Sequence, residues 1–158
     1  MASNRARRSR CLRGHQGHGL VAKGKTAQVR RGEAKLYLDK AVQFVEQARS
    51  GLDSGRYDAA LLDAIHAAIS GTDAATVALA GVRSADPDHQ RAADLPEEVA
   101  GSAPEGRERV RQLRALLARK NTVEYESRKA TAKDARDAVE RAGRVVDWAR
   151  GIVVKARL

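Results

Sequence analysis

The chain has 158 residues, a formal net charge of +10, 42 % hydrophobic residues and only 3 % aromatic ones. That length holds one domain rather than two, and a core without aromatics has to be built from alanine, leucine and valine, which favours helices packed closely on helices. A single cysteine, Cys11, excludes a disulfide framework and a cysteine-based zinc site, and no apolar run reaches the ~18 residues of a membrane span.

The charge is concentrated at the start. Residues 1–32 hold nine Lys/Arg and no Asp or Glu, whereas the remaining 126 residues hold 21 basic and 20 acidic groups. A near-neutral domain over residues 33–158 thus follows a basic segment, 1–32, that has too little apolar surface to offset the entropy of ordering and is expected to be disordered. Three readings of that segment compete: translation from upstream of the true start, an arm for nucleic acid or an acidic partner, and a passive solubilising tail. Its composition also allows a mitochondrial-type presequence, although nothing in the domain favours one. The segment has no apolar signal-peptide core, and a soluble cytoplasmic protein is the expectation.

Within the domain, Leu38, Ala41, Val42, Val45, Ala48 and Leu52 recur at helical steps and predict a helix over 33–52. DSGR (53–56) is a tight turn. A second helix over 57–80 is apolar on almost every side, which places it centrally or against a second subunit. Gly71 in its interior costs about 1 kcal/mol relative to alanine, and close approach of another backbone would explain it. Residues 81–90 form a loop, followed by a short helix near 88–95 and a helical turn at 96–100 that breaks near Gly101. Residues 105–122 predict the next helix, with Val110, Leu113, Leu116 and Leu117 inward, and YESRKA (125–130) a loop. Thr131 and Asp134 fit a capping box that opens a last helix over 132–156. No strand-like alternation appears. The expected architecture is an all-α, up-and-down bundle of four long helices plus one short helix, with Phe44 and Trp148 each burying much area. So thin a core invites a partner surface, and a homodimer is expected.

Few residues carry recognisable chemistry. His15 and His18 near Cys11 make a weak metal pattern. His66 reads as a core or interface histidine, with a catalytic or ligand role as the alternative, and His89 as a capping or surface residue. Arginine and histidine fall at loose spacing at Arg10/His15, Arg13/His18 and Arg83/His89. Arg107, Arg109, Arg111 and Arg114 form a basic run that Glu105 and Glu108 could neutralise. The competing reading is phosphate contact, which would show as steep salt dependence. No phosphate loop, zinc signature, paired-carboxylate site or nucleophile elbow is present, and neither a metal nor a cofactor is expected.

The segment GRYDAALLDAIHAAISGTDAATVALAGVRSADPDHQRAADL (55–95), followed by a helix ending in RKNTVEYE (119–126) and a capped last helix, resembles the HEPN superfamily over residues 33–156. The resemblance implies a four- to five-helix bundle that usually dimerises. Many such proteins are metal-independent ribonucleases, often toxins partnered with a small nucleotidyltransferase antitoxin; others bind nucleotides or act as non-catalytic modules. The ribonucleases carry an arginine and a histidine separated by four to six residues at the end of the penultimate long helix, commonly with a polar residue such as asparagine directly after the arginine. The arginine stabilises charge on the scissile phosphate and the histidine moves protons. Here Arg119 matches, Asn121 comes one residue late, and Tyr125 stands at the histidine position, with no histidine anywhere after His89. An unperturbed tyrosine pKa near ~10 makes a poor general base at neutral pH. The expected function is therefore a non-catalytic binding or interaction module, with Arg114, Arg119, Lys120, Asn121 and Tyr125 lining a remnant cleft for RNA, a nucleotide or a partner protein. The alternative is a toxin ribonuclease using Arg119 and Tyr125, paired with a nucleotidyltransferase-type antitoxin.

Overall fold

The computed structural model describes residues 24–158. Four long helices form the bundle: α1 (Ala34–Asp53), α2 (Tyr57–Ala80), α5 (Gly106–Tyr125) and α6 (Ala132–Lys155). Two short helices, α3 (His89–Ala92) and α4 (Asp94–Ala100), lie between α2 and α5. The all-α bundle expected from the sequence is observed, with two short helices in place of one. Asp88 separates the first of them from the preceding loop, its Oδ1 accepting the Gln90 backbone N–H at 3.0 Å; the cap is this carboxylate rather than His89.

The long helices alternate in direction. α2 and α6 touch each other and both outer helices, α1 and α5, so they form the short diagonal of the bundle. Composition explains the diagonal. Ala60, Ala64, Ala67, Ala68, Ala74, Ala75 and Ala78 on α2 are fully buried, as are Ala135, Ala142 and Ala149 on α6. A Cβ added at Gly71 would lie 3.4 Å from Val145 Cγ1 and 3.6 Å from Val146 Cα, so α6 does approach closely there. Around this diagonal, Leu61, Ile65, Leu113, Leu116 and Leu117 fill one half of the core, and Val77 and Val153 the other. Phe44 and Trp148 depart from expectation, packing half-buried against the margins of these clusters. Large rings do not fit between helices spaced by alanine, so they close the edges instead.

Two further departures concern the ends of elements. The expectation of disorder up to residue 32 fails from residue 26 on: Thr26–Gln28 (β1) pairs antiparallel with Val82–Ser84 (β2), in register Thr26 with Ser84 and Gln28 with Val82. Arg31 Nε also donates to Ala78 O at 2.7 Å. Strands of three residues carry no readable alternation, and their partners lie far apart in sequence. Gly81, at φ 65°, ends α2 in the left-handed conformation, and a Cβ there would come within 3.0 Å of Val29 O. The expectations for residues 1–23, including Cys11, His15 and His18, lie outside the described residues. At the other end of the molecule, α5 continues to Tyr125 instead of stopping at 122. Lys120 Nζ bridges Glu124 Oε2 one turn on at 2.6 Å, and Val123 packs on the core; both hold the extra turn.

Thr131 opens α6 with the expected capping box. Its Oγ1 accepts from Asp134 N at 3.1 Å while Asp134 Oδ2 accepts from Thr131 N at 3.0 Å. Thr131→Ala is expected to cost about 1 kcal/mol, read as a lower urea midpoint with unchanged slope.

Candidate functional site

The C-terminal end of α5 holds the residues singled out in the sequence, and helical geometry decides which of them meet. At about 100° per residue, Asn121 and Tyr125 share a face with Arg114, whereas Arg119 lies on the far side of the helix. The contacts follow this division. Arg119 faces α6 and its guanidinium contacts Asp134 Oδ1 at 2.8 Å. Lys120 is buried and turned to Glu124. Asn121 is exposed, and Tyr125 is 81 % exposed. Arg114 reaches α4, where it binds Asp94 at 2.9 Å and Glu97 at 2.5 Å. The five candidates therefore do not converge on a single cleft within one chain.

Arg119 is tied to a carboxylate already engaged in capping. The Thr131 backbone N–H, followed by the Arg119 guanidinium, holds the Asp134 carboxyl well below the usual carboxylate range. The loop before α6 is anchored as well, because the Ala130 N–H donates to Asp58 Oδ1 at 2.6 Å. This end of the bundle thus stands as a set of fixed backbone and ionic contacts.

A residue from α2 adds to this end. His66 stacks on Phe44 with ring centroids 5.3 Å apart. Burial, then the charge of Lys120 and to a lesser degree that of His89, push its pKa down, while Glu124 and Asp63 oppose them. The lowered pKa leaves the imidazole neutral at pH 7. Proximity of His66 to the last turns of α5 is a tertiary fact: 54 residues separate it from Lys120, and only the placement of α2 at the bundle centre hinted at it. Arg83 and His89, whose spacing resembles the ribonuclease pattern, line a cavity of about 270 Å³ with Asp73 and Asp86, and His89 lies near enough to His66 for its charge to act on that imidazole.

The basic run on α5 is mostly neutralised. Arg109 pairs with Glu105, Arg111 with Glu108, and Arg114 with α4. Among the described residues no group of three or more His, Cys, Asp or Glu side chains could hold a metal ion, and no helix is long and apolar enough to cross a membrane.

The family model of the HEPN domain matches residues 34–152, from the first residue of α1 to the last turn of α6. A search of curated proteins found no match.

Proposed function

The chain belongs to the HEPN domain family, and we propose that it is a non-catalytic binding module, a cytoplasmic homodimer that uses the C-terminal end of α5 to hold single-stranded RNA. The observation that carries the reading is the 2.8 Å pairing of Arg119 with Asp134. An arginine committed to the cap of α6 is neutralised where a ribonuclease needs it free to meet phosphate. The place of the proton carrier is taken by Tyr125, which is exposed and suited to stacking on a base. Exposed Arg128 and Lys129 follow it and supply charge for a backbone.

Fluorescence anisotropy with a labelled single-stranded RNA, alongside a gel assay of the same RNA, tests this. Binding without cleavage is expected, with Tyr125→Ala weakening it about tenfold, the worth of one stacked base. Cleavage that disappears in Arg119→Ala overturns the reading. Absence of RNA binding overturns the ligand and leaves a partner protein as the occupant. Sedimentation at micromolar concentration checks the dimer.

The second reading is a metal-independent toxin ribonuclease that uses Arg119 and Tyr125 and is restrained by a nucleotidyltransferase-type antitoxin. One observation favours it: His66 brings a neutral imidazole to the same end of the bundle. In that case cleavage is lost in both Arg119→Ala and His66→Ala.

A further inference from the structure

At the opposite end of the bundle, about 24 Å along α5 from Tyr125, a groove of about 640 Å³ runs between α6, the end of α2 and the segment before α5. Its α6 wall carries Arg144, Trp148, Gly151 and Lys155 in one stripe at helical spacing, with the Asp147 carboxylate beside it. Leu79, Pro104 and Ile152 complete an apolar lining around the indole. Trp148 is fixed in place, its Nε1–H donating to Pro104 O at 3.0 Å.

Two features of the groove have no explanation in the fold. Gly151 sits inside α6, where glycine costs about 1 kcal/mol relative to alanine, yet a Cβ there would meet nothing within 4 Å. No neighbouring helix requires the missing side chain; the space it leaves is the groove. The charges are also unbalanced. The rim carboxylates are taken, Glu105 by Arg109 and Asp147 by Arg150, whereas Arg144 and Lys155 have no carboxylate partner among the described residues. Arg109, also in the wall, keeps a buried Nε with no acceptor among the described residues.

We propose that this groove binds a small amphipathic anion: a planar apolar body over Gly151 against Trp148, with its negative group between Arg144 and Lys155. The volume lies within the ~300–1,000 Å³ range of small-molecule sites. The site is independent of the α5 end and of the function proposed for it.

Trp148 is the only tryptophan, so its emission reports occupancy directly. The probes are anilinonaphthalene sulfonate, which has the planar body and the anion, and phenylnaphthylamine, which lacks the charge. Saturable quenching of Trp148 by the sulfonate is expected. Gly151→Leu fills the groove and should abolish it while leaving the melting temperature unchanged or higher, since leucine replaces glycine in an open helical position. Arg144→Gln with Lys155→Gln should weaken the sulfonate about tenfold, as loss of charge-assisted hydrogen bonds does, and leave the neutral dye unaffected. Sulfonate binding that survives Gly151→Leu is adventitious and overturns the proposal. So does equal binding of both dyes by the wild-type chain.

Discussion

Ile65→Ala is expected to destabilise the domain by roughly 4 kcal/mol, near the upper end of the range for such deletions. Ile65 is fully buried on α2, in the cluster with Ala41, Ala64, Ala68, Leu113, Leu116 and Ala142. The cost of a large-to-small change depends on how far the surroundings can collapse into the void. Many of the neighbours here are alanines, which have no rotamer to rearrange, and the helices are already close. The cavity should therefore stay open. For a domain of this size the loss corresponds to a melting temperature lower by roughly 10–15 °C, measurable by circular dichroism. Leu36→Ala is the control: Leu36 is 64 % exposed, and its change should fall within about 0.5 kcal/mol of zero. A shift below about 2 kcal/mol at Ile65 would mean that the α2–α6 diagonal yields more than its alanine spacing implies.

The same alanine spacing made much of the fold legible in the sequence. The all-round apolarity of 57–80 pointed to a central helix, and α2 is central. The start of α6 was legible because a capping box is a local device, complete within four residues. What escaped was set by distant partners. β1 is three residues long and owes its existence to β2, more than fifty positions away. The extra turn of α5 depends on an ion pair and on Val123 finding the core. At the candidate site, the run Arg119 to Tyr125 was conspicuous, but helical spacing sends Arg119 away from Asn121 and Tyr125, and no local pattern marks the capping carboxylate of α6 as the one to receive it. Likewise, His66 could be recognised as a core or interface histidine but not as a neighbour of Lys120. Covalent spacing fixes which side chains share a helix face; only packing decides what that face meets.

Asp73→Asn should make the domain more stable above pH 7 and remove a slope in its stability that the wild-type chain shows below it. Asp73 lies on α2 beneath β2. Burial pushes its carboxyl up to about 7, against the opposing pull of Arg83, the Ser84 backbone N–H and Lys40. A carboxyl whose folded pKa exceeds its unfolded value of 3.8 binds its proton more tightly in the native state. Its stabilising contribution is full below pH 3.8 and is lost as the pH rises to about 7, after which the folded protein carries the whole cost of a buried charge. Asparagine is neutral throughout and keeps an oxygen for the Ser84 N–H, so the variant should track the protonated wild type. The two stabilities should diverge from about pH 4 and differ by roughly 2–4 kcal/mol above pH 7. Taking the difference isolates this group from Asp134 and Asp137, whose lowered pKa values act in the opposite sense: their stabilisation is present above 3.8 and lost in acid. Urea denaturation of both chains from pH 4 to 8 makes the measurement. Parallel curves would show that Asp73 titrates as an ordinary carboxylate, with its charge solvated through the neighbouring cavity.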